Sequence, residues 1–327
     1  MADCGNDPEL SAEKRIAAAC GFHFIMIASR QASVLIVTKN RKEELCVALR
    51  SVLEQTVQSE VVVMDDGSTD GTSERVRAEF PNVTLHSFVE SKGCIVRRNE
   101  GARLVRGEIL ISIDDDAAFS TPRTVEQTLA EFDCESIAAV AIPFIDVHKS
   151  PRLMQKAPDT RLLYITDTFI GTAHAFRRDV FLSLGGYRED LFHQGEESDF
   201  CIRLLQMGRV VRLGNADPIH HFESPKRDFQ RMDFYGPRNS VLFAWQNVPF
   251  SWLFVHMLAT TLRCLFYTLK PDRFKVRLSG IIDGFRGCFR MPREPVSLNT
   301  YRLNRQLRKN GPLRFDSVQS RISSIKR

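Results

Sequence analysis

What most limits the fold of this chain is a set of short apolar runs that do not alternate. Residues 33–37 (SVLIV), 60–64 (EVVVM) and 108–113 (EILISI) are apolar at nearly every position, rich in β-branched residues and of strand length. A strand with one wet face alternates apolar and polar, whereas a strand covered on both faces reads as a continuous run. Residues 82–88 (NVTLHSF) and 137–147 (IAAVAIPFIDV) add two further strands. Helical spacing lies between them. Residues 42–55 place Leu45, Ala48, Leu49, Val52 and Leu53 on one face, and 72–80, 93–107 and 123–133 also read as helices. Strands and helices in strict alternation predict an α/β fold with a mostly parallel sheet flanked by helices.

In open sheets of this kind, ligands bind in the crevice beyond the carboxyl ends of the strands. Three polar clusters fall there: TKNR (38–41), DDGSTD (65–70) and DDDAAF (114–119). Asp114, Asp115 and Asp116 are adjacent acids, and like charges at one spot repel unless a cation joins them. Mg²⁺ or Mn²⁺ takes oxygen ligands and leaves positions for water and substrate phosphates. In an extended chain Asp114 and Asp116 point one way and Asp115 the other. One acid can then hold a metal while another binds sugar hydroxyls. Taken alone, the pattern is equally a solvated turn. DDGSTD can offer a carboxylate to a base or ribose, or can merely cap the next helix through Ser68 or Thr69. GEESDF (195–200) is by itself an acidic helix start. The histidine pair of IHHFESP (219–225) is by itself a structural or surface feature.

Composition sets the frame for these motifs. A chain of 327 residues with 43% hydrophobic and 26% charged residues fits one large domain, or a domain with an appendage. It is neither collagen-like nor disordered. The eight cysteines are scattered with no C-x-x-C pair, which points to a reducing, cytoplasmic setting. Charge is uneven. From Lys270 onward there are 15 Lys and Arg against 4 Asp and Glu, a net of +11, so residues 1–269 carry −6. This is either a solvated tail or a contact with an anionic partner, membrane lipid or nucleic acid, and the enzyme class reached below leaves no nucleic acid partner. Residues 251–269 are apolar, but His256 and Arg263 interrupt them, which favours a buried or interfacial helix over a membrane span. The apolar run at 22–28 is too short to span, and residues 1–31 read as an extension.

Together the segments resemble the family 2 glycosyltransferases with a GT-A fold. SVLIVTKNRKEELCVALRSVLEQT, EVVVMDDGSTDGT, KGCIVRRNEGARLVRGEILISIDDDAAF, GTAHAFRRDVFLSLGGYREDLFHQGEESDFCIRLLQMG and IHHFESP follow in order over about residues 33–225. The resemblance implies transfer of a sugar from a nucleotide diphosphate sugar to an acceptor hydroxyl, with inversion and with a divalent metal, Mn²⁺ or Mg²⁺. The implied setting is cell-surface polysaccharide or glycolipid synthesis, on a saccharide, lipid-linked or other hydroxyl acceptor. By the same resemblance Thr38 and Arg41 touch the nucleotide, and Asp66, with Asp65 beside it, reads the base. Lys92 and Arg98 lie along the nucleotide path, and Asp115 lines the donor site. Asp116 is expected to hold the metal, with Asp114 sharing it or facing the ribose. Glu197 is the expected general base, with Glu196 in support; Glu stands at 197 where Asp is commoner. His221 or His220 would complete the metal site, and the spacing to Ser224 favours His221. Residues 171–176 and 185–187 would shape the acceptor side.

The implied organisation is an extension over 1–31, a catalytic domain over 32–227 and a helical, basic region over 228–327. The implied place is the cytoplasm, peripheral on the inner membrane face. Other classes fit less well. A phosphatase of the haloacid-dehalogenase type needs a later lysine and a downstream acidic pair, whereas here the other aspartate cluster comes first. A nicotinamide enzyme needs G-x-G-x-x-G after the first strand, and TKNRKEE lacks it. A non-catalytic module with a degenerate GT-A fold is the remaining alternative, and the presence of Asp116, Glu197 and His221 argues against it.

Overall fold

The computed structural model describes residues 31–222, 229–268 and 270–325. The N-terminal extension apart from Gln31, its apolar run at 22–28, and Ser224 lie outside the described residues.

The first half alternates as expected: β1 (Ala32–Thr38), α1 (Lys42–Leu53), β2 (Glu60–Asp65), α2 (Thr72–Glu79), β3 (Thr84–Ser87), α3 (Cys94–Leu104) and β4 (Ile109–Asp114). β1 pairs in parallel with β2 and with β4, and β2 with β3. Successive residues of a strand point to opposite faces. Val34, Ile36, Val61, Val63, Ile109 and Ile111 accordingly enter one core, and Leu35, Val62, Met64 and Leu110 the other. Both faces are dry, which is why these strands show no alternation.

Beyond β4 come β5 (Ala117–Phe119), α4 (Thr124–Ala130), β6 (Ile137–Ala141) and β7 (Phe144–Asp146). Residues 137–147, expected as one strand, are therefore two, in separate sheets. Pro143 lies between them and has no N–H to continue a ladder. The chain continues through β8 (Leu153–Met154), β9 (Tyr164–Thr166), β10 (Ala173–Arg177), α5 (Arg178–Ser183), α6 (Glu196–Gln206), β11 (Val210–Leu213) and β12 (Ile219–His221). Then follow α7 (Phe229–Asn247), α8 (Phe250–Leu265), α9 (Pro271–Cys288), α10 (Leu298–Asn310), β13 (Leu313–Arg314) and α11 (Phe315–Ile325). The larger sheet has the order β13-β9-β11-β6-β10-β4-β1-β2-β3, and a smaller one the order β5-β12-β7-β8.

The C-terminal region is built into this fold. β13 pairs with β9 at the sheet edge, and Leu303, Leu307, Val318 and Ile322 enter the core that holds Val34. α9 packs closely on α7: a Cβ at Gly284 would stand 2.8 Å from the Arg238 carbonyl oxygen. Buried Asp233 on α7 holds Arg273 and Arg277 of α9 at 2.5 and 2.7 Å. Residues 251–269 supply most of α8, and no described helix is long and apolar enough to cross a membrane.

Candidate active site

The three aspartates do not lie on one extended strand. Asp114 ends β4, and Asp115 and Asp116 form the turn into β5. The extended backbone expected here is corrected by that turn, but Asp114 and Asp116 still converge while Asp115 turns inward to Thr38. Asp114 meets Arg98 at 2.6 Å. Asp115 accepts from the Thr38 hydroxyl at 2.8 Å and from Arg41 at 3.0 Å. Asp116 accepts from the same Arg41 nitrogen at 2.5 Å.

The smaller sheet brings in a fourth group. β12 lies between β5 and β7, with His221 opposite Ala117 on one side and Asp146 on the other. The Phe222 N–H donates to the Asp116 carbonyl at 2.8 Å. This register sets His221 Nε2 3.4 Å from Asp116, and His221 Nδ1 3.9 Å from Asp146. Asp114, Asp116 and His221 each offer a ligand atom within 4.8 Å of the others. His220, the alternative ligand, is not in this group; its ring lies edge-on to Phe222 at 6.4 Å. Adjacent residues of a strand face opposite ways, so His221 can face the acids only if His220 does not.

Arg98 links this group to the glutamates. Buried on α3, it spans Asp114, the Gly171 carbonyl at 3.0 Å and Glu196 at 3.7 Å. Glu196 and Glu197 open α6, behind Gly195 in the left-handed region at φ +89°. One Glu196 oxygen is buried without a partner. The Glu197 carboxylate lies over Gly171, where a Cβ would stand 3.0 Å from both Glu197 Oε1 and Arg98. Gly171 therefore borders the site, whereas His174 and Tyr187, from the same expected wall, lie in the core. His174 and Tyr187 are buried, 2.9 Å apart, among Phe169, Phe176, Phe181 and Phe200. Their aromatic surface is worth more in the core than on a wet wall.

The DDGSTD cluster serves the protein's own loops. Asp65 accepts from the Ser68 N–H at 2.9 Å and from the Ser73 hydroxyl. Asp70, not Ser68 or Thr69, binds the Thr72 N–H at the start of α2. Asp66 accepts from Ser91 (2.6 Å), Lys92 N–H (2.8 Å), Gly93 N–H (2.9 Å) and Arg97 (2.7 Å). Four donors fill a carboxylate. Asp66 can read a base only if one of these bonds opens; as it stands, it anchors residues 91–93. The Lys92 ammonium is exposed, 3.7 Å from Glu100.

Residues 33–185 match the model of the family described as Glycosyl transferase family 2. That stretch of the chain belongs to glycosyl transferase family 2. The glucosyl-dolichyl phosphate glucuronosyltransferase of Haloferax volcanii is 27% identical over 217 residues, covering 58% of this chain and 68% of its own length. The O-antigen chain rhamnosyltransferase WbaN of Salmonella anatum is 24% identical over 257 residues, covering 66% of this chain and 81% of its own. The solved mannosyltransferase PcManGT of Pyrobaculum calidifontis, in complex with GDP-Man and Mn²⁺, shares the GT-A fold. It is 18% identical with a TM-score of 0.54, over 95% of this chain and 94% of its own.

Within this glycosyltransferase, burial and charge set the carboxylates apart. Burial raises Asp115 to about 7, against the pull of Arg41. Burial pushes Asp116 the same way, but His221 and Arg41 outweigh it and hold Asp116 below the usual range. His221 is drawn toward neutral by burial, yet Asp116, Asp114 and Asp146 overcome this and raise its pKa. Glu196 and Glu197 are both raised, chiefly by burial and further by the Asp114 charge, with Arg98 opposing.

Two residues that pattern reading missed support the site. Asp146 stands behind His221 and holds Lys149 at 3.2 Å. Asp199, fully buried three residues after Glu196, holds Arg188 at 2.6 Å, Arg203 at 2.9 Å and Asn247 at 2.7 Å. It ties the glutamate helix to the end of α7. Asp199→Ala strands two arginines beside a void and is expected to cost about 3–5 kcal/mol, read as a lower urea midpoint. An unchanged midpoint would show that this network carries no stability.

Proposed function

We propose that this glycosyltransferase moves a hexosyl or deoxyhexosyl group from a nucleotide diphosphate sugar to an acceptor hydroxyl, inverting the anomeric centre. The observation that carries this is Arg98, which spans the Asp114–Asp116–His221 group on one side and the Glu196–Glu197 pair on the other. A nucleophile-side base and a leaving-group site thus stand on either side of one buried cation. The relatives named above act on O-antigen and on a dolichyl-phosphate saccharide, which supports polysaccharide or glycolipid synthesis and a saccharide or lipid-linked acceptor. A peripheral place at the cytoplasmic face of the membrane belongs to the same proposal.

The donor set fits a hard divalent cation, with the imidazole favouring Mn²⁺ over Mg²⁺. Its two carboxylates are drawn to Arg98 and Arg41, the charge partners that a metal would replace or share. Bound there, the ion would neutralise the diphosphate as it leaves. Asp146 keeps the His221 ring turned toward Asp116. Thr38 and Arg41 hold Asp115, and Arg41, half-buried at the mouth, can turn from Asp116 to a donor phosphate. Arg98 fixes Asp114 and sets the field at Glu196. Glu197 takes the proton of the acceptor hydroxyl as that oxygen attacks the anomeric carbon opposite the leaving phosphate. Glu196, with an unpartnered buried oxygen, is the place where the pair keeps its proton.

Calorimetric titration with UDP, GDP, TDP and CDP, with and without Mn²⁺, tests this proposal. Metal-dependent binding of one nucleotide is expected, and it names the donor base. No binding under any condition withdraws the transferase proposal in favour of a degenerate module.

A further inference from the structure

The transfer chemistry leaves one large surface unused. On α8 Phe250, Phe254, Leu258, Leu262 and Phe266, the last just past its end, recur at every fourth residue, and all are exposed. Phe250 and Phe254 are 85% and 79% exposed. On α9 Leu278, Ile282, Phe285 and, just past its end, Phe289 form a second exposed stripe, with Phe289 at 93%. The two helices are joined through residues 266–270 and tied by Arg277, which donates to the Cys264 carbonyl at 2.6 Å. Their other faces are occupied: Cys264 and Ile281 are buried, and Gly280 and Gly284 abut α7. Exposed apolar surface of this extent, rimmed by polar residues, marks an interaction site.

Charge decides what covers it. Arg263, Lys270, Lys275, Arg286 and Arg290 are exposed on the same two helices and their ends, and none has an ion pair among the described residues. The acids do not balance them. Asp283 is taken by Arg238, and Asp233 already neutralises Arg273 and Arg277, which leaves Asp272. A second copy docking through this face would set cation against cation. An anionic bilayer meets both halves of the pattern, with apolar rings at the headgroup boundary and cations on lipid phosphates. No described helix can span, so the contact is one of lying on the surface.

We infer that the α8–α9 hairpin is a docking surface for an anionic lipid bilayer. The inference rests on the peripheral-membrane part of the proposed function and stands or falls separately from the transfer chemistry. The test is co-sedimentation of the full chain with vesicles of phosphatidylcholine alone, or with added phosphatidylglycerol, at low and high salt. Binding is expected only with the anionic lipid, and weaker in salt. Phe250→Ser/Phe254→Ser and Lys275→Glu/Arg286→Glu/Arg290→Glu are each expected to weaken it by at least about tenfold. These positions are exposed, so the variants should fold and keep nucleotide binding, measured on the same samples. Absence of anionic-vesicle binding, or binding unchanged in both variants, overturns the inference. A concentration-dependent dimer lost in the phenylalanine variant, with no vesicle binding, overturns it in favour of a second copy. Vesicle binding without any nucleotide binding would sustain the docking surface and sink the transferase proposal instead.

Discussion

Glu197→Gln is expected to slow transfer by about two to four orders of magnitude while nucleotide affinity stays within about twofold. The amide keeps the size and polarity of the carboxylate but cannot accept the acceptor's proton. The pH profile separates this from a packing defect. Both glutamates are raised by burial and by the Asp114 charge, so the pair holds on to a proton above the ordinary glutamate range. The base form appears only as pH rises through that raised pKa. The rate constant kcat/KM should therefore climb with pH along a limb lying above the usual glutamate range, and the limb should vanish in Glu197→Gln. Glu196→Gln should keep the limb close to its wild-type position, because Glu196 is the member that stays protonated and adds no negative charge beside Glu197. Wild-type rates in Glu197→Gln would remove this residue from the chemistry.

Asp116→Ala is expected to abolish the metal dependence of nucleotide binding, lowering metal affinity by at least about a hundredfold. The variant should fold, because Arg41 keeps Asp115 as a partner at 3.0 Å and the turn at 115–116 keeps its backbone bond to Phe222. A second consequence follows from His221. A metal needs the neutral imidazole, and the surrounding acids raise its pKa. Affinity for Mn²⁺ in the wild type should fall as pH drops through that raised pKa, starting above the range of a free histidine. Equal metal-dependent binding in Asp116→Ala and wild type would place the ion elsewhere.

Much of this was legible along the chain, and the parts that were not share a cause. Continuous runs at 33–37, 60–64 and 108–113 announced strands buried on both faces, and their carboxyl ends announced where the polar clusters would meet. The turn at 115–116 was hidden because three acids in a row carry no signal of direction. Residues 137–147 looked like one strand because only Pro143 and Asp146 interrupt an apolar run. His174 and Tyr187 fell in stretches that the resemblance set on the acceptor side, and only the four phenylalanines around them show that they belong to the core. Asp66 looked like a base reader, and only the fold brings four donors to its carboxylate. Asp146 and Asp199 were passed over because neither stands in a motif. Each acts through partners far away in sequence.

What residue order determined by itself is whatever depends on neighbours a few positions apart: strand and helix periods, the sheet they imply, and the places where acids collect. Those follow from burial and backbone geometry within one element. What only tertiary structure decided is which acid meets which cation. The register of β12 against β5 and β7 put His221 rather than His220 beside Asp116, since a shift of one residue reverses every side chain of a strand. The packing of α3 on β1 and β2 made Arg98 the bridge from the aspartates to the glutamates. Charge interactions fall off over a few ångströms, and no local pattern records which distant side chains the fold will bring that close.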